Sequence, residues 1–87
     1  MPLTEAGVNA QVCGIPVRIR SDGEQYFIRD DQVDLYDAGA TPQEAREDYA
    51  RAVQAYHADL LAHADRLAQP LQAHLAYLNQ VLEQGPA

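Results

Sequence analysis

Gly39-Ala40-Thr41-Pro42-Gln43-Glu44-Ala45 is the stretch on which the fold turns. Before it, apolar residues tend to alternate with polar ones; after it, they recur every third or fourth position. The first spacing belongs to half-buried strands and the second to an amphipathic helix. Thr41 takes the N-cap position, Pro42 the first helical position and Glu44 the third, which together form a capping box. The threonine oxygen accepts from an amide that the helix itself cannot satisfy, and Glu44 reaches back to the cap. Pro42 has no N–H to leave orphaned and its φ is already helical. Glu47 and Asp48 carry the negative charge onward, which suits the positive end of the helix dipole.

Downstream, Ala45, Tyr49, Val53 (or Ala52), Tyr56, Leu60, Ala64 and Leu67 fall at spacings of three and four. One apolar face is therefore expected on a helix from Pro42 to about Leu67 or Ala68. Gln69-Pro70 interrupts it, because the residue before a proline is pushed out of the α region. A second helix is expected from Pro70 to about Glu83, with Leu71, Leu75, Leu78 and Leu82 on its face and Tyr77 and Val81 beside them. The apolar phase passes through Leu60, Ala64, Leu67, Leu71, Leu75 and Leu78 without a slip, so both a kinked extension and a fold-back remain open. Gly85-Pro86 is a helix stop.

Upstream, Val33 and Leu35 alternate with Asp34 and Tyr36, giving an expected strand over Val33–Asp37 with Asp30-Asp31-Gln32 as its connection. Val17–Arg20 and Gln25–Arg29 form an expected hairpin around Ser21-Asp22-Gly23-Glu24, since Asp-Gly is a favoured turn pair. Val8, Ala10 and Val12 alternate and allow one further short strand. Pro16 belongs at a strand start or an edge, because it cannot donate to a ladder. The expected fold class is α+β: a small antiparallel sheet of three to four strands covered by a long helix, with a second C-terminal helix, in the order β-β-β-α-α. Residues 1–87 make one domain, with a variable segment over 1–14, a core over 15–68 and a C-terminal helix over 70–83.

The chain has 87 residues, of which 47% are hydrophobic, with alanine prominent among them. So small a domain buries only about 60% of its unfolded surface, and a homo-oligomer, most simply a homodimer, is expected. Cys13 stands alone, so no internal disulfide can form, and a cytoplasmic location is expected. Met1-Pro2-Leu3-Thr4-Glu5 has none of the basic and apolar pattern of a signal peptide, and no run approaches the length of a membrane span. The net charge is −7, and residues 22–48 account for all of it, with nine acids against two arginines. Elsewhere four acids balance four arginines. Such a field repels nucleic acid and attracts a basic protein partner.

No constellation of catalytic residues stands out, and the expectation is no enzyme, no cofactor and no metal. His57 and His63 lie six apart, on different sides of one helix; Asp59 and His63 share a face, but two ligands do not make a zinc site. His74 stands alone in the second helix. Cys13 reads as a small buried hydrophobe. Arg18 and Arg20 share one strand face and are expected to pair with acids across the hairpin; two charges make no nucleic-acid patch. Tyr49 and Tyr56, seven apart, share a helical face and would pack on the sheet with their hydroxyls at its rim, or serve as an aromatic anchor pair for a partner.

The strand Tyr26-Phe27-Ile28, the junction Gly39-Ala40-Thr41-Pro42-Gln43-Glu44-Ala45 and the helix through Tyr56 together resemble the core of HicB-type antitoxins, over about residues 15–60. The chain lacks the Pro-Gly that the family usually carries before its third strand, and has Ala40 where the family usually has aspartate. The resemblance implies an oligomeric core that binds and occludes a small basic partner such as a toxin ribonuclease. Residues 70–87 are too short and too poor in basic side chains for the family's DNA-binding module, so no direct nucleic-acid binding is carried over. The candidate partner-binding residues are Asp30, Asp31, Asp34, Asp37, Tyr49 and Tyr56. The alternative is a structural or adaptor subunit that self-associates through its apolar helix faces.

Overall fold

A computed structural model describes residues 8–84. The N-terminal stretch Met1–Glu5 and the helix stop at Gly85-Pro86 lie outside the described residues. The chain forms four strands and then two helices: β1 (Val8–Val12), β2 (Ile15–Ser21), β3 (Tyr26–Arg29), β4 (Tyr36–Gly39), α1 (Pro42–Ala62) and α2 (Gln69–Gln84). The strands pair in sequence order, each antiparallel to the next. The fold is α+β, as the change of apolar period at Gly39–Ala45 requires. β1 adds the fourth strand, so the sheet begins at Val8 rather than at residue 15.

β2 shows the alternation expected of it. Ile15, Val17 and Ile19 are buried while Pro16, Arg18 and Arg20 are exposed. Pro16 is tolerated because β3 ends at Arg29, opposite Arg18, so its position has a strand neighbour on one side only, at Gln11. The hairpin turn follows from Asp22, whose Oδ1 accepts from the Glu24 and Gln25 amides at 2.8 and 2.9 Å. Gly23 supplies the positive φ of +99° that this turn needs.

The strand expected at Val33–Asp37 is displaced. β4 runs over Tyr36–Gly39, and Val33, although buried, belongs to a loop. Asp34 has φ +60°, which no strand accommodates, and the loop amides bond to a side chain instead of to β3.

α1 starts as the capping pattern requires. The Glu44 amide donates to Thr41 Oγ1 at 3.1 Å. The Glu44 carboxylate reaches one residue further back than a capping box does, accepting from the Ala40 amide at 3.1 Å. A Cβ on Gly39 would lie 2.6 Å from the Ala45 nitrogen and 2.9 Å from Glu44 Cβ. The junction therefore needs a glycine for close approach of strand and helix, and Ala45, which is fully buried, for the same contact.

α1 ends at Ala62, earlier than its apolar periodicity suggests, and a 3-10 turn at Ala64–Arg66 follows. Leu67 is extended, and the Ala68 carbonyl accepts from the Leu71 and Gln72 amides to open α2. Pro70 thus sits in the first turn of a new helix, where it is favoured, and does not kink a continuing one. α2 folds back onto α1: Tyr56 Oη bonds His74 Nδ1 at 2.7 Å, and His57 Nε2 bonds Asn79 Oδ1 at 2.7 Å. Leu78 is fully buried, and Leu71, Leu75 and Leu82 pack against the core. The core lies between one face of the sheet and the helices, with Ile15, Val17, Ile19 and Ile28 facing Ala45, Tyr49 and Val53.

Candidate functional site

The loop from Asp30 to Leu35 is organised by one carboxylate. Asp30 follows β3 and is 2% exposed. Its Oδ1 accepts from the amides of Gln32, Val33 and Asp34 at 2.7, 2.7 and 3.1 Å. Its Oδ2 accepts from the Leu35 amide at 3.3 Å and from the Tyr49 hydroxyl. The Asp30 amide closes the loop by donating to the Leu35 carbonyl at 3.1 Å. A buried carboxylate is costly unless its lone pairs are filled, and here five donors fill them. In exchange, amides that would otherwise point at no strand are satisfied. Val33 is drawn into the core, and Asp34 is held in the left-handed region.

Tyr49 completes this arrangement from α1. It is fully buried, and burial, then the hydrogen bond to Asp30 and its negative charge, push the phenol well above its ordinary range. Tyr77 of α2 is pushed up as well, by burial and then by the same carboxylate.

The six candidate contact residues therefore divide. Asp30 and Tyr49 are buried and bonded to each other, so in this chain neither has surface to offer a partner. Their place is beneath the loop. Asp31 and Asp34 are exposed. Asp31 lies 3.5 Å from Arg29 in an exposed pair that contributes little to stability. Asp37 is half-buried and its Oδ1 accepts from the Ala38 amide at 2.9 Å. Tyr56 is half-buried against His74, and burial followed by the charges of Asp34 and Asp59 raises its phenol. The acids do not form one surface. The β3–β4 register, with Tyr26 opposite Gly39 and Arg29 opposite Tyr36, separates the Asp22–Gln25 turn and the α1 start from Asp31 and Asp34 at the other end of the sheet.

The second feature is the face of the sheet that turns away from the helices. Asn9, Arg18, Arg29 and Tyr36 stand opposite one another across four strands, and Arg20, Phe27 and Ala38 form the next row. All of these but Ala38 line a concavity of about 650 Å³, with Asp31 at its side. Arg18 and Arg20 do not pair with acids across the hairpin. The turn register sets Arg18 against Arg29 and Arg20 against Phe27. Like charges directly opposite are destabilising. Three cations and two rings thus share one face, where counting along a single strand found two charges.

Elsewhere, Cys13 lies beside a smaller apolar concavity of about 390 Å³ with His57, Leu61, Val81 and Leu82. Burial raises its thiol, the opposite of activation. His57 and His74 bond to Asn79 and Tyr56, and His63 bonds the Asp59 carbonyl at 2.9 Å. Among the described residues no three of His, Cys, Asp or Glu gather as a metal site, and no helix is long and apolar enough to cross a membrane. Comparison with family models, with curated proteins and with solved structures returns no match to this chain.

Proposed function

We propose that the chain is a protein-binding module of the antitoxin kind, which engages a small basic protein partner, such as a toxin ribonuclease, through the loop Asp30–Leu35. The observation that carries this reading is the preorganisation of that loop. One buried carboxylate holds four successive amides, and two exposed acids, Asp31 and Asp34, project from the frame so made. A loop already held in one conformation loses little entropy on binding, and a non-glycine residue at positive φ is a strain that binding sites commonly store. The net charge of −7 would steer a basic partner toward the chain.

The test is a pull-down of tagged chain from its native host at low and high salt, with bound proteins identified by mass spectrometry, beside an Asp31→Lys/Asp34→Lys variant. The expected result is a small basic protein released by salt and lost from the double variant, while circular dichroism shows the variant still folded. Retention of the same protein by the double variant would remove the loop from the contact.

A second reading has its own observation. Among the described residues, the sheet face turned away from the helices carries Tyr36 at 78% exposure beside three arginines, which suits an adaptor that takes an acidic partner. Arg18→Glu/Arg20→Glu would then abolish binding that Asp31→Lys/Asp34→Lys leaves intact.

A further inference from the structure

We propose that β1 is the seam of a homodimer, in which two copies pair antiparallel along its outer edge about a two-fold axis at Ala10. The two four-stranded sheets then become one of eight strands. This is independent of the partner reading above, and it moves self-association from the helix faces to a strand edge.

The sheet has two edges, and they differ. β4 is short, carries Asp37, and has the Ala38 amide occupied by that carboxylate. These are the devices that keep an edge strand from pairing. β1 reads Val8-Asn9-Ala10-Gln11-Val12, with no charge and no proline, in a chain where 22% of residues are charged. Among the described residues it is an edge whose outward amides and carbonyls meet no other strand.

The same five residues specify the occupant. Their apolar and polar order is identical in both directions. Antiparallel pairing centred on Ala10 sets Val8 against Val12 of the second copy, Asn9 against its Gln11, and Ala10 against its Ala10. Val8, Ala10 and Val12 share the face of Ile19, Val17 and Ile15, so the seam extends the apolar layer, while the amides meet on the outer face. α1 lies over β4 and β3 and touches β1 only marginally, leaving Val8 at 64% exposure beside the open edge. A valine from the second copy covers that surface. A two-fold axis perpendicular to the sheet keeps both helical layers on one side, so neither obstructs the other. Any slip by one residue would put valine against amide.

A seam of five residues is small, so the dimer should depend on concentration. The test is sedimentation equilibrium or light scattering at up to roughly 100 µM, on the wild type and two double variants. Asn9→Glu/Gln11→Glu places like charges in both cross-seam pairs. Asn9→Glu/Gln11→Lys places opposite charges in both. Within one copy residue 9 faces Arg18 and residue 11 faces Pro16, so neither variant sets like charges directly opposite each other across its own strands. The expected result is a wild-type mass of two chains, loss of the dimer in the first variant, and a dissociation constant about tenfold or more tighter in the second than in the first. Melting curves should show both variants folded. A monomeric wild type at the highest concentration overturns the proposal. So does a dimer that survives the first variant, or an equal loss in both variants, because only this register pairs residue 9 with residue 11.

Discussion

Asp22 and Asp30 do the same thing in two places, and the contrast between them shows what burial does to a turn. Each aspartate ends or follows a strand, and each accepts from the amides that come next. Asp22 holds two amides on an exposed tip, with Gly23 beside it to absorb the positive φ. Asp30 holds four amides and a phenol, and the residue at positive φ in its loop is Asp34 rather than a glycine. At the tip, water can replace any bond the carboxylate loses. Beneath the loop it cannot, and Val33 and Tyr49 depend on the same atoms. The first aspartate shapes a turn; the second connects a loop to the core.

The largest effect should come from Asp30→Asn. At the Oδ1 position an amide oxygen could still accept from Gln32, Val33 and Asp34. At the Oδ2 position an NH2 group would face the Leu35 N–H, donor against donor. Leaving buried donors unmet costs about 2–4 kcal/mol, a large share of the roughly 5 kcal/mol available to a small domain. The urea midpoint of the variant should fall steeply, and Asp31 and Asp34 should lose their fixed positions with it. An unchanged midpoint would make Asp30 equivalent to Asp22.

A smaller loss is expected of Tyr49→Phe, about 1–2 kcal/mol, since it removes one donor and leaves the ring packing intact. Its diagnostic sign lies at high pH. The folded chain holds the Tyr49 proton well above its ordinary range, because of burial and Asp30. Above a pH of about 10 the unfolded chain releases that proton and the folded chain does not. Stability from this source is complete below that pH and falls as pH rises beyond it. The phenylalanine variant should therefore be less stable at neutral pH yet lose less further stability between neutral and strongly alkaline conditions. Parallel alkaline profiles would separate the tyrosine from the carboxylate.

Legibility in the sequence follows the range of the interaction. The Thr41-Pro42-Gln43-Glu44 start and the Asp22-Gly23 turn are written in adjacent residues, and both form where the pattern puts them, with the Glu44 carboxylate closing on Ala40 rather than on Thr41. Val33 and Leu35 have the spacing of a strand, and nothing nearby announces that Asp30 will take their amides. That outcome depends on Tyr49, nineteen positions away, to complete the carboxylate's partners. Counting acids along the chain treated Asp30 as surface charge, because charge alone carries no information about burial. Arg18 could be placed on a strand face, but its neighbour Arg29 is set by the register of the turn. The fold-back of α2 was hidden by an apolar phase that runs unbroken through the turn between the helices. Polar contacts of His74 and Asn79 with α1 accompany the fold-back, and no periodicity records them.

Asp22→Asn should have the smallest effect, and it is the other half of the comparison. An asparagine oxygen can accept from the Glu24 and Gln25 amides much as the carboxylate does, and its NH2 group points into water. At neutral pH the melting temperature should not move beyond experimental error. The difference is confined to acid. The amides of Gln25 and then Glu24 hold the Asp22 carboxyl below the usual carboxylate range. Its contribution is present above a pH of about 4 and is lost as pH falls through the depressed value. The variant has no such group and should lack that part of the acid dependence. The same substitution would then be silent at one aspartate and severe at the other, with identical chemistry removed in both. If Asp22→Asn instead unfolded the hairpin at neutral pH, exposure would not be the variable that separates the two sites.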